Sequence, residues 1–262
     1  MQPIDALNLN ADLGESFGAW SMGDDTAMLD VVASANIACG FHAGDPLVMR
    51  QTVCAALARG VSLGAHPAFP DLQGFGRRRM ELSPQELAAM LIYQIGALQG
   101  LAAAEGGRVT HVKPHGALSN MACADAGLAE GVARAVRAVD RELILLAPAH
   151  SVLALAGERA GLRVALEVFA DRAYQDDGQL VPRALPGAVL HGAAACWQQV
   201  QRMVEAQALV SVHGRRLPTA IDSVCVHGDG AEAVATARAV REGLAAAGVA
   251  VVPLPCLARL AG

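Results

Sequence analysis

The sequence predicts an α/β fold, with parallel strands closed into a barrel or spread as an open doubly wound sheet. Three observations carry this. Short apolar runs alternate with Ala-rich helical stretches, the pattern of repeated strand–helix units. About seven such runs, joined by short connections, fit into 262 residues, which favours closure. No Gly-x-Gly-x-x-Gly follows the first run, which weakens an open dinucleotide-binding sheet. Periodicity alone does not separate barrel from open sheet.

The strands are expected at 6–13, 33–39, 61–65, 110–114, 143–148, 164–170 and 223–227, with a shorter one at 249–254. Helices are expected at 46–59, 84–105, 125–137, 151–160, 193–207 and 231–247. Their starts are marked. Asp45-Pro46 reads as N-cap and first helical residue, and Ser83-Pro84-Gln85-Glu86 as a capping box. Residues 171–222 break the rhythm: 174–178 reads as a turn, and 210–221, with Gly214 central, as a β-hairpin. No linker or internal repeat appears, so the chain is read as one domain over 1–262 with an excursion at about 171–222.

Composition narrows the class. Hydrophobic residues make up 53% and aromatics 3%, so the core must be built from Ala, Val, Leu and Ile. The net charge is −5 and the longest basic run is Arg77-Arg78-Arg79. Nucleic acid is therefore not an expected partner, since phosphate binding needs a clustered basic face. No stretch reaches the roughly 20 uninterrupted apolar residues of a membrane span, and the N-terminus lacks signal-peptide character. Six scattered cysteines without a Cys-x-x-Cys pair read as reduced, buried thiols. A cytoplasmic protein is expected. The chain has 19 arginines and one lysine, Lys113. Where Arg replaces Lys generally, a retained lysine points to a need for a compact, tunable ammonium.

In parallel α/β folds the reactive residues collect at the C-terminal ends of strands. The first strand end carries Asn8, Asn10, Asp12 and Glu15, with 8, 10 and 12 on one face by alternation. The second carries His42 and Asp45, the third His66, the fourth His111, Lys113 and His115. The sixth carries Glu167, Asp171 and Arg172, and the seventh His227 and Asp229. Asp45 also reads as a helix cap, and His111 as a packed core histidine. His150, His191 and His213 read as loop residues. His42, His66, His115 and His227, each beside Gly or Pro past a strand, do not read as four independent core histidines. The segment Gly74-Phe75-Gly76-Arg77-Arg78 offers backbone approach and paired guanidinium groups for an anion. Such a set supports either a divalent metal that activates water, or metal-free acid–base chemistry with Lys113 stabilising negative charge on oxygen. The motifs of zincins, P-loop enzymes and serine hydrolases are missing.

Six strings, 8–18 (NLNADLGESFG), 35–46 (ANIACGFHAGDP), 64–78 (GAHPAFPDLQGFGRR), 111–118 (HVKPHGAL), 167–172 (EVFADR) and 226–230 (VHGDG), resemble the LamB/YcsF family. The resemblance runs from about residue 7 to 255. It departs where Ser119 precedes Asn120 in place of the family's usual tyrosine. It implies a distorted TIM-like barrel of seven strands, related to glycoside hydrolase and deacetylase barrels. It implies ATP-dependent opening of 5-oxoproline to L-glutamate, with Mg-ATP as co-substrate and partner subunits B and C. It leaves open which subunit binds ATP and whether the chain forms a homo-oligomer. On this basis Asp12, His66, Lys113, His115 and Glu167 are the expected catalytic residues. Asn8, Asn10, Glu15, Asp45, Arg77, Arg78, Asp171, Arg172, His227 and Asp229 are expected to bind substrate or ATP. By analogy with deacetylase barrels, Asp12, His42 and His66 are the expected metal ligands. Two alternatives stand beside this: a metal-dependent deacetylase or amidase without ATP, and a non-catalytic substrate-binding subunit.

Overall fold

The computed structural model describes residues 4–227 and 232–261. In chain order the elements are β1 (Ala6–Leu13), α1 (Asp25–Leu29), β2 (Ser34–Ala38), α2 (Pro46–Leu57), β3 (Ser62–His66), α3 (Pro84–Ala104), β4 (Val109–Val112), α4 (Gly116–Ala122), α5 (Ala126–Val139), β5 (Ile144–Pro148), α6 (Val152–Arg159), β6 (Arg163–Phe169), α7 (Ala193–Ala206), β7 (Ala208–Val210), β8 (Arg216–Pro218), β9 (Ser223–Val226), α8 (Ala233–Ala246) and β10 (Ala250–Val251). Strands β1 to β6 pair in parallel sequence, and β9 bonds both β6 and β1. Asn8 opposite Ser223 and Ala11 opposite Val226 seal the ring. The sheet is therefore a closed seven-stranded barrel, and the open alternative is set aside. β10 pairs with the first residues of β1, outside this ring.

Helix starts follow their local chemistry. Asp45 accepts from the Leu47 and Val48 amides, and Ser83 and Glu86 form a reciprocal capping box. α1 and α4 escape a sequence reading. One has five residues and the other seven without a side-chain cap, too short to display a helical period. α3 is long and apolar enough to cross a membrane by composition, but Leu87, Leu91, Ile95 and Leu98 are buried inside the fold. Gln94 of α3 is buried too. It donates to the Ala68 carbonyl and accepts from the Ala68 amide, pinning the chain just beyond β3.

Apolar side chains fill the layer between strands and helices. The barrel axis is different. Asn8 donates to Ser34, Ser34 meets Ser62 at 2.6 Å, and Ser223 donates to Asn8. Asn10 donates to Ser223 at 2.7 Å, and Asn36 to Asn10 at 2.7 Å. His111 Nε2 donates to Asn36 Oδ1 at 3.1 Å. Gly64 makes room for that ring, since a Cβ there would lie 2.1 Å from His111 Nε2. At the lower end, Leu254, Leu257 and Leu260 pack on Ile144, Leu146 and Ala165. Asn8 also donates to the Val252 carbonyl, and the Leu254 amide to Ser34.

The excursion keeps its expected hairpin: β7 and β8 pair antiparallel, Leu209 opposite Leu217, with Gly214 at positive φ. Before it, residues 172–190 fold over the upper mouth. Buried Arg172 holds them by donating to the Val181 and Ala188 carbonyls.

Candidate active site

Strand ends converge at the upper mouth around a cavity of about 500 Å³ lined by Asp12, His66, Lys113, His115, His227 and Phe169, with arginines above them. A cavity of about 560 Å³ elsewhere, lined by Arg108, Asp140, Glu142 and Arg163, contains none of the strand-end residues.

Lys113 is the floor of the site. Its Nζ lies 3.0 Å from Asp12 Oδ1 and 3.0 Å from Glu167 Oε1. It also reaches Asn10 Oδ1 at 3.3 Å and Cys225 Sγ at 3.1 Å. An ammonium has three protons, and here four acceptors surround it. A substrate oxygen can reach Lys113 only by displacing one of them, and the sulfur is the weakest acceptor. Burial opposes the charge on Lys113, but Asp12, Cys225 and Glu167 hold its pKa well above the usual lysine range. Burial likewise works against the Asp12 carboxylate, yet His66 and Lys113 hold it well below its usual pKa. Glu167 goes the other way: burial raises it, and its Oε2 is buried with no partner among the described residues. Asn36 donates to Asp12 Oδ1 at 2.9 Å and Asn10 to Glu167 Oε1 at 2.9 Å, so the polar axis orients both carboxylates.

The histidines form a second layer. His66 Nδ1 donates to the Lys113 carbonyl at 2.6 Å, leaving Nε2 towards Asp12 Oδ2 at 3.3 Å. His115 Nε2 donates to the Phe75 carbonyl at 2.8 Å, leaving Nδ1 towards His66 Nε2 at 3.0 Å. A carbonyl can only accept, so both tautomers are set by the backbone. Burial, helped by His66, lowers His115 to about 3, so its Nδ1 presents a lone pair. His66 Nε2 thus lies between the Asp12 carboxylate and the His115 Nδ1 lone pair. His42 stacks on His115 with centroids 3.8 Å apart, reaches Glu15 at 3.3 Å, and is held neutral by burial.

These donors fit a divalent metal. Glu15, His42, His66 and His115 each offer one ligand atom, all within 4.8 Å of one another. Metal–nitrogen bonds of about 2.1 Å place two ligand atoms roughly 3.0–3.4 Å apart, and the His66–His115 pair is 3.0 Å apart. His42 would have to leave its stack to join, because parallel rings do not converge on one point. His42 Nδ1 is buried without a partner among the described residues. The expected trio of Asp12, His42 and His66 is not gathered as one set: Asp12 groups instead with Cys225 and His227.

At the rim, His227 Nδ1 donates to Asp171 at 2.7 Å, and its Nε2 meets Arg183 at 3.4 Å. Burial pushes Asp171 up, but His227 outweighs it and the carboxyl lies below its usual range. Arg77 stacks over Phe75 and lines the cavity. Other expected site residues lie elsewhere. Asp45 gives both oxygens to backbone amides, Leu47 and Val48 on one and Gly18 on the other. Asn8 sits low on the axis. Arg78 turns to Asp71, and Arg79 takes its place at the cavity. Asp229 is outside the described residues. Sequence reasoning missed Asn36, Cys225, Arg79 and Arg183. Asn36 was legible in principle, lying inward on β2 beside Asp12; Arg79 and Arg183 sit on irregular loops with no periodicity to orient them.

The LamB/YcsF family matches residues 7–259. The chain belongs to that family. A LamB/YcsF relative from Azoarcus sp. strain BH72, known as the A subunit of 5-oxoprolinase, is 66% identical over 249 residues, covering 95% of this chain and 97% of its own. The crystal structure of a lactam utilization protein from Thermus thermophilus has TM-score 0.89 and 45% identity, covering 94% of this chain and 99% of that one. The catalytic domain of a peptidoglycan N-acetylglucosamine deacetylase from Eubacterium rectale shares the fold alone, with TM-score 0.52 at 11% identity over 97% of this chain and 90% of that one. The barrel expected from the resemblance is thus the observed fold.

Proposed function

We propose that this chain is the lactam-opening subunit of a cytosolic, ATP-dependent 5-oxoprolinase that works with subunits B and C. The observation that carries this reading is the 66% identity to the A subunit of a 5-oxoprolinase over 95% of the chain. An unstrained lactam is a poor electrophile. Phosphorylation of its oxygen by Mg-ATP, with loss of the lactam N–H proton to solvent, supplies activation and leaves a C=N bond. Water then adds to the ring carbon of the phosphorylated lactam, and the C=N electron pair moves to nitrogen. The C–N bond breaks, both protons of that water ending on nitrogen, to give an amine and an acyl phosphate. A second water hydrolyses the acyl phosphate to glutamate and phosphate.

The residues suit these tasks. Asp12, held ionised beside Lys113, is the base that orients the attacking water. His66 links Asp12 to His115 and relays the proton. Lys113 fixes the Asp12 charge and offers its ammonium to an oxygen that displaces Cys225. Glu167 is a positioning residue for Lys113. If a divalent ion is bound, Glu15, His42, His66 and His115 would hold it, and it would lower the pKa of a bound water. That cluster is what favours the second reading, a metal-dependent amidase without ATP.

Reconstitution with B and C separates the readings. With 5-oxoproline and ATP the complex should form glutamate and ADP in equal amounts, and Asp12→Asn should abolish glutamate. Glutamate formed without ATP consumption would sink the proposal in favour of the amidase, and full activity in Asp12→Asn would leave only a binding role.

A further inference from the structure

The cavity has a charge that the proposed reaction does not by itself explain. Its lining holds five cations, Lys113, Arg77, Arg79, Arg172 and Arg183, against a single carboxylate, Asp12. The whole chain carries a net charge of −5, so the excess is local. Lys113 is already matched below by Asp12 and Glu167. Arg77, Arg79 and Arg183 form the rim, and Arg172 lies buried behind them on the Val181 and Ala188 carbonyls. Their repulsion is felt: burial, then Arg183 and, more weakly, Arg77 lower Arg172 to about 10, against the pull of Asp171. A cleft lined by one sign of charge concentrates the opposite sign, and guanidinium groups match phosphoryl and carboxylate oxygens in pairs. 5-Oxoproline brings one carboxylate. Three rim guanidinium groups fit a ligand of higher charge.

The rim does not offer what a nucleotide needs. The glycine-rich turn at 74–76 is committed to packing. The Gly74 amide donates to Asp71 Oδ1 and the Gly76 amide to the Asp71 carbonyl. A Cβ at Gly76 would meet His115 and His42 at 2.9 Å, so that glycine serves the histidine stack and not a phosphate. The aromatic faces are taken as well: Phe169 stacks on His227, and Tyr174 is buried with its hydroxyl bonded to the Phe169 amide. Among the described residues nothing in the cavity provides an open slot for a base.

We propose that this cavity takes a small acid bearing both a carboxylate and a phosphoryl group, held at the rim by Arg79 and Arg183, so that the lactam arrives already phosphorylated. The inference rests on the ring-opening role proposed above. The reaction that supplies the substrate is then an ATP-dependent phosphoryl transfer to an amide oxygen at another subunit. This chain carries out the steps that follow: water addition, C–N cleavage with nitrogen taking both protons of that water, and hydrolysis of the acyl phosphate by a second water.

The test uses 2-carboxyethylphosphonate as a stable carboxylate–phosphoryl probe, with succinate as the dicarboxylate control, in calorimetric titrations of the full chain. The phosphonate should bind at least tenfold more tightly than succinate and weaken with added salt. Mg-ATP should not compete. Arg79→Gln/Arg183→Gln, checked for unchanged thermal unfolding, should lose at least tenfold in phosphonate affinity, while Arg134→Gln on the outer surface should not. In the complex with B and C, Arg183→Gln should keep forming ADP while glutamate falls, so that the ADP-to-glutamate ratio rises several-fold. Equal affinity for the two probes, competition by Mg-ATP, or an unmoved double variant would overturn the inference. So would ADP and glutamate falling together. If the wild-type complex forms no glutamate from 5-oxoproline and ATP, it is the ring-opening role itself that fails.

Discussion

Replacing Lys113 with Met keeps the stem and removes the ammonium that two buried carboxylates share. Asp12 and Glu167 each sit 3.0 Å from Nζ, and all three residues are buried. Without the cation, two carboxylates share a low-dielectric site, and one must take up a proton or the fold must open. Breaking a buried pair by removing one partner costs about 3–5 kcal/mol. For a chain of this size, 1 kcal/mol moves the melting midpoint by about 2–4 °C, so Lys113→Met should melt roughly 6–20 °C lower. The loss should depend on pH. Burial already raises Glu167, and losing Lys113 raises it further. A group whose folded pKa is raised stabilises below its unfolded value and loses that contribution as pH rises through the folded one. The deficit should therefore be smaller at pH 5 than at pH 8. Thermal unfolding followed by circular dichroism at both values measures it. Lys113→Arg should rescue only part, since a planar fork cannot occupy a tetrahedral donor's place. A Met variant melting within 2 °C of wild type at pH 8 would refute the idea that this charge organises the floor.

Gly64→Ala puts a methyl 2.1 Å from His111 Nε2; overpacking costs about 1–3 kcal/mol, so the urea midpoint should drop, and an unchanged midpoint would show that the ring has slack. Burial lowers His111 to about 3. Because it stays neutral when folded but protonates when unfolded below its ordinary pKa, stability should fall by about 1.4 kcal/mol per pH unit from about pH 6 downward, and His111→Gln should flatten that slope; identical slopes would remove His111 as the cause. Arg172→Gln frees the Val181 and Ala188 carbonyls, so limited proteolysis should cut within 172–190 at least several times faster, with the barrel intact; equal rates would mean that the strap is held by other contacts.

The strands were legible because strand length and alternation survive in sequence, whereas their closure into a barrel was implied by the family resemblance. Asn8, Asn10 and Asp12 share the inward face, as a period of two requires. Lys113, His66 and His115 were legible as a site because the chain reverses just beyond β3 and β4, and both strand ends open on one mouth. Grouping was harder. Nothing in the spacing says that His42 lies flat on His115, since stacking is set by tertiary packing. Arg78 and Arg79 are neighbours whose directions depend on Asp71 capturing one of them. The short helices α1 and α4 carry too few residues to show a period, and the roles of Asn36 and Cys225 depend on which atoms face Lys113.

The polar axis has a consequence for how the protein is made. Asn8 and Ser34 complete their hydrogen bonds with the Val252 carbonyl and the Leu254 amide, and from them the chain of contacts runs through Ser223, Asn10 and Asn36 to Asp12. The first strand of the barrel thus waits for a partner 244 residues further along the chain. Until that segment docks, the Asn8 amide and the Ser34 hydroxyl at the foot of the axis each lack one partner. The polar axis beneath the reactive mouth is therefore completed only when a segment far along the chain docks at the opposite end of the barrel.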